Sequence, residues 1–72
     1  MIFERIRELR EDNDIKQVQI ADYLGVQQTT YSKYELGKIN IPIESLIKIA
    51  DFYGVSLDYL VGRDDIRKNK KV

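Results

Sequence analysis

The chain has 72 residues, a formal net charge of zero, and neither cysteine nor histidine. That length permits one small core. The two missing residue types remove disulfides, thiol nucleophiles, thiolate metal sites and the commonest general base, so neither an enzyme nor a cofactor is expected. No apolar run is long enough for a membrane span or a secretory signal, and the cytosol is the expected location.

Neutrality argues at first against a nucleic-acid partner, because phosphate contacts rest on Lys and Arg. The charges are unevenly spread, however. Up to Ile15, the acids Glu4, Glu8, Glu11, Asp12 and Asp14 outnumber Arg5, Arg7 and Arg10. From Lys16 to Lys48 the sign turns slightly positive, and residues 63–72 carry Arg63, Arg67, Lys68, Lys70 and Lys71 against Asp64 and Asp65. A neutral molecule with a basic face is compatible with this pattern, as is an ordinary solvated surface.

Ile2, Phe3, Ile6 and Leu9 recur at helical spacing, which predicts a first helix from Ile2 to Glu11, ended by the turn-forming cluster Asp12, Asn13, Asp14. Val18, Ile20, Ala21 and Leu24 predict a second helix from Gln17, stopped at Gly25. A third runs from Gln28 to Leu36 and stops at Gly37. Lys16 and Gln27 occupy the cap positions of these two helices, where Ser, Thr, Asp or Asn would normally sit, although Gln19 can supply half of a capping box.

Pro42 is tolerated in the first turn of a fourth helix, marked by Leu46, Ile47, Ile49, Ala50 and Tyr53 and closed by Gly54. Ser56 caps a short fifth helix, Leu57 to Val61. Without a period-two segment the class is all-α, with one five-helix domain over residues 1–62 and a flexible basic tail over 63–72.

Two short helices joined by a turn around Gly25 form a helix-turn-helix unit, whose second helix enters the DNA major groove. With Gln28 set at zero and about 100° per residue, Tyr31, Tyr34 and Glu35 share an arc of roughly 240° to 340°. Gln28, Thr29, Ser32, Lys33 and Leu36 fill the arc from roughly 0° to 140°. Solvated faces are usually built from Glu, Lys and Arg. Glutamine pairs bidentately with adenine, and threonine bonds a base edge or touches the thymine methyl. A base-reading face and a bland polar face are equally compatible with composition alone.

Four segments carry a resemblance: IRELRED at 6–12, IKQVQIADYLGV at 15–26, YSKYELGK at 31–38 and SLIKIADFYGVSLDYLVG at 45–62. In the order and spacing of Gln17, Ala21, Leu24, Gly25, Val26, Glu35 and Gly37, the chain resembles the Cro and lambda-repressor-like helix-turn-helix proteins, also called the XRE family. The resemblance implies a sequence-specific DNA-binding transcriptional regulator, a repressor working as a homodimer on a palindromic operator.

It further implies that Gln17 meets a phosphate and hydrogen-bonds Gln28, which reads a base. Thr29, Ser32 and Lys33 look toward base edges, Gln27 stands where the helix begins, and Lys38 and Asn40 approach the phosphate backbone. Lys16, where the family often has Thr or Ser, meets a phosphate. Arg10 and Glu35 match a partly buried ion pair between the first and third helices. Tyr31 stands where the family has a smaller aliphatic residue, so its hydroxyl finds a partner at the core edge or its ring tilts outward.

Other residues have structural readings. Tyr34 and Tyr53 are core rings with wet tips, Ser45 and Ser56 are helix-start residues with no base to activate them, and Asp58, Asp64 and Asp65 match no calcium loop. Leu57, Tyr59 and Val61 divide between the core and a dimer patch. Zero net charge and Leu36 on the polar arc support a different function, a protein-interaction module such as an antitoxin or anti-regulator.

Overall fold

The computed structural model describes residues 3–62; Met1, Ile2 and the expected tail lie outside them. Five helices follow in order: α1 (Glu4–Asp12), α2 (Gln17–Leu24), α3 (Gln28–Leu36), α4 (Ile43–Tyr53) and α5 (Leu57–Leu60). The fold class is all-α, with no strand among the described residues.

The largest departure from the expected bounds is at α1. Its apolar stripe placed the start at Ile2, but Phe3 is extended (φ −105°, ψ 90°) and occupies the cap position. Apolar spacing marks the face a helix buries, and Phe3 packs against the core from outside the helix. At the other end Asp12 is still helical, and Asn13 caps it, donating from Nδ2 to the Leu9 carbonyl at 2.8 Å. Asp14 then takes a left-handed conformation (φ 56°), and the Ile15 N–H reaches back to the Arg10 carbonyl at 2.9 Å. Aspartate is among the few non-glycine residues that visit this region readily.

The turn from α2 to α3 depends on Gly25, at φ 75°. That conformation lets the Val26 N–H close on the Ala21 carbonyl at 3.0 Å and turns Val26 into the core. A Cβ added at Gly25 would meet nothing within 4 Å, so only the backbone resists a side chain there. Gly25→Ala is expected to cost about 1 kcal/mol and to lower Tm by about 4–8 °C in a calorimetric scan. Asn at the same position should lose less.

Pro42 sits at the cap of α4, one position ahead of the expected first turn, and its carbonyl accepts from the Leu46 N–H at 3.0 Å. Lacking an N–H, it loses nothing there. The Ser56 hydroxyl accepts from the Tyr59 N–H at 3.0 Å and starts α5, which ends at Leu60 with Val61 as its cap.

Ile6, Ile20, Tyr31, Ile49 and Leu60 are fully buried, one from each helix. α2 packs most extensively against α3, and α4 against α5. Arg5 ties α1 to α5: Nη1 donates to the Tyr59 carbonyl at 2.8 Å, and the guanidinium lies 4.3 Å from the centre of the Tyr59 ring. Tyr23 leans on Phe52 with ring centres 4.9 Å apart, joining α2 to α4 while staying half exposed. These placements hold the start of α3 at the surface beside the start of α2.

Candidate nucleic-acid interface

The starts of α2 and α3 lack conventional caps. Lys16 is extended at the cap of α2, and its ammonium has no lone pair with which to accept a backbone N–H. Gln19 supplies the other half of the motif, its Oε1 accepting from the Lys16 N–H at 2.8 Å. Gln27 is extended at the cap of α3 and makes no side-chain cap hydrogen bond. Both side chains stay exposed.

α3 has two faces. Tyr31, Tyr34 and Glu35 are its buried residues, while Gln27, Gln28, Thr29 and Lys33 are exposed and Ser32 is half-buried. Lys38 and Asn40, in the following loop, are exposed as well. Leu36, placed on the polar arc, lies at the far end of α3 beside Glu4 and Arg7 of α1. It is about 12 Å along the helix axis from Gln28.

Beneath the exposed face lies a chain of polar contacts across three helices. Arg10 of α1 donates from Nε to Glu35 Oε2 at 2.6 Å and from Nη2 to Glu35 Oε1 at 3.2 Å. Its Nη1 donates to the Ile15 carbonyl at 3.1 Å, pinning the turn before α2. Gln17, the first residue of α2, donates from Nε2 to Glu35 Oε1 at 3.1 Å. Gln17 Oε1 in turn accepts from Gln28 Nε2 at a long 3.4 Å.

The Arg10 and Glu35 side chains are 15% and 4% exposed, so this pair is largely removed from water. Burial by itself raises the Glu35 pKa, yet the Arg10 hydrogen bonds, the nearby Tyr31 hydroxyl, the Arg10 charge and the Gln17 donor hold the carboxyl below its ordinary range. The hydrogen bond to Glu35 pushes the Arg10 guanidinium up in turn.

The Tyr31 ring is fully buried and packs edge-on to Tyr34. Its hydroxyl has no hydrogen bond of good geometry, but the Glu35 carboxylate lies near enough to reinforce the effect of burial and hold its proton on. Tyr53 corrects the expectation of a wet tip. Its ring is half-buried, and its hydroxyl is the shielded end, with burial pushing it up to about 12. The tip turns inward to where it feels both Arg10 and Glu35.

These shifts set the pH dependence of stability. Glu35 is depressed in the folded state, so its contribution is full above the ordinary 4.5 and is lost as pH falls through the lower folded value. Tyr31 and Tyr53 are raised, so theirs is full below the ordinary 10.0 and is lost as pH climbs past it. Urea midpoints measured against pH are expected to fall at both ends, and Tyr53→Phe should flatten the alkaline limb.

The sequence did not reveal the bond from Gln17 to Glu35, which joins the ion pair to the glutamine pair. The only available signal was that each contact takes one partner from α3, Glu35 for the ion pair and Gln28 for the glutamine pair. No helix among the described residues is long and apolar enough to cross a membrane.

A family model described as Helix-turn-helix matches residues 6–60. The chain belongs to the Cro and lambda-repressor-like helix-turn-helix family. Among relatives of this helix-turn-helix domain is YonR of Bacillus subtilis, an SPbeta prophage-derived HTH-type transcriptional regulator. It is 36% identical over 61 residues, which are 85% of this chain and 56% of YonR. RstR, a transcriptional repressor of the cryptic phage CTXphi in Vibrio cholerae, is 35% identical over 72 residues, or 100% of this chain and 65% of RstR. The solved structure of a transcriptional regulator from Listeria innocua superposes with a TM-score of 0.78 at 36% identity, covering 83% of this chain and 57% of that one. The chain thus spans less than two thirds of each of these relatives.

Proposed function

We propose that this helix-turn-helix domain is a sequence-specific DNA-binding transcriptional regulator, a repressor that binds a palindromic operator as a homodimer with α3 in the major groove. The observation that carries this reading is the division of α3. One side is locked into the core by Tyr31, Tyr34 and Glu35, which leaves Gln28 and Thr29 exposed at its start. Gln28, Thr29, Ser32 and Lys33 address base edges, with Gln27 at the helix start. Lys16, Gln17, Lys38 and Asn40 hold the phosphates and set the orientation. The repressor named among the relatives supports the regulatory role.

Selection of bound sequences from a random duplex pool tests this reading. It should return two related half-sites of opposite orientation, about one helical turn apart. The absence of any enriched sequence would refute it.

A second reading, a protein-interaction module, draws support from Ile43 and Ile47, one turn apart on α4 and 58% and 46% exposed. Salt separates the two. With Lys16 and Lys38 as the cations that hold phosphates, the logarithmic salt slope of DNA binding is expected to be about −2 per protomer. An apolar protein interface would show almost no slope.

A further inference from the structure

A dimer that reads a palindrome shares the two-fold axis of the site, so the contact between its copies borders the DNA-facing surface. Under the proposed function Lys38 and Asn40 belong to that surface, and Ile39 between them is exposed. Ile43 and Ile47 follow on α4, the first of them more exposed than any other large apolar side chain described. Exposed apolar residues elsewhere do not form such a strip. Val18 and Tyr23 point about 140° apart on α2, and Leu36 lies beside α1. On α5, Leu57 and Val61 already pack against the core, and Arg5 covers the Tyr59 ring.

α4 has the residues to pair with itself. With Ile43 at zero and about 100° per residue, Ile47 stands at about 40°, Glu44 at about 100° and Lys48 at about 140°. The buried Leu46, Ile49 and Ala50 occupy roughly 240° to 340°. The outward strip is thus apolar along one edge and carries an anion and a cation, one turn apart, along the other, all of them exposed. A two-fold axis crossing the strip at residues 45–46 sets two copies of α4 antiparallel. Ile43 then meets Ile47 of the second copy and Glu44 meets Lys48 of the second copy, each contact being made twice. A parallel pair would instead set Glu44 against Glu44 and Lys48 against Lys48. We propose that the outward strip of α4 is the contact between two copies of this chain, with Ile43 and Ile47 at its centre and reciprocal Glu44–Lys48 pairs fixing its direction. This names the dimer surface of the proposed repressor and rests on that reading.

Sedimentation equilibrium of the full chain over a range of concentrations tests the contact without DNA, with a thermal melt of each variant to confirm folding. Wild type is expected to form dimers and nothing larger, because a closed two-fold contact uses up its own surface. Ile47→Asp should weaken the dimer by about tenfold or more, since the change enters the contact twice. Glu44→Lys and Lys48→Glu should each weaken it by about fivefold or more, because each sets like charges against one another. Mixing these two variants in equal amounts should restore wild-type affinity, as one carries two cations on the strip and the other two anions. An attraction between Glu44 and Lys48 within one helix would not be rescued by mixing.

A chain that stays monomeric throughout overturns the proposal and leaves Ile43 and Ile47 to a partner of another kind. So does a dimer that Ile47→Asp leaves unchanged, or a mixture no tighter than its components. None of these outcomes touches base reading by α3, which the random-pool selection tests separately. A palindrome selected by a chain whose dimer ignores Ile47→Asp would keep the repressor reading and place the contact on another face.

Discussion

Glu35→Ala is expected to cost about 2–4 kcal/mol and to lower Tm by about 10–25 °C. The loss comes less from the attraction removed than from what is left behind. Arg10 would keep a largely buried guanidinium whose Nε and Nη2 have lost their acceptor, and Gln17 would lose the acceptor for its Nε2. Removing one partner of a fully buried pair costs about 3–5 kcal/mol, and the lower figure here reflects the 15% exposure of Arg10. A domain of this size holds roughly 4–10 kcal/mol in all, so the change takes a large share of it. Arg10→Ala should cost a similar amount and additionally release the Ile15 carbonyl before α2. The double variant should lose much less than the two single losses together, and a thermal or urea double-mutant cycle measures that coupling. Strict additivity would mean that the pair contributes nothing as a pair.

The second large effect is on recognition. Under the proposed function, Gln28→Ala is expected to cost about 1–3 kcal/mol at the preferred base and almost nothing on duplexes lacking it, so that specificity relaxes at one position. Lys38→Ala should instead weaken all duplexes alike and reduce the salt slope by about one. The contrast follows from position: Gln28 is exposed on the first turn of α3 with its amide held by Gln17, whereas Lys38 is an exposed cation in the loop beyond Gly37. Fluorescence-anisotropy titrations over a series of duplexes and salt concentrations measure both effects. Equal losses on every duplex for both variants would remove the division between base-reading and phosphate-holding residues.

Much of the architecture could be read from local chemistry. Gly25 and Gly37 end α2 and α3 because the left-handed geometry required there suits glycine. Ser56 starts α5 because its hydroxyl reaches the Tyr59 N–H. The two faces of α3 follow from helical periodicity, and the residues of its core-facing arc are the buried ones. What could not be read depends on contacts distant in sequence. Phe3 lies outside α1 although it continues the apolar stripe, because burial against the core does not require helical backbone. Which way the Tyr31 ring and the Tyr53 hydroxyl point depends on packing between helices, which buries both hydroxyls. The Gln17–Glu35 bond joins residues 18 apart along the chain, and nothing in either segment alone specifies it.

The most direct test of DNA recognition by α3 is a backbone-amide NMR titration of the isotopically labelled chain with a mixed-sequence duplex at low salt. Shifts are expected to concentrate at Lys16, Gln17, residues 27–33, Lys38 and Asn40, and to fade as salt is added. Shifts confined to α4 around Ile43 and Ile47, or none at any salt concentration, would contradict it.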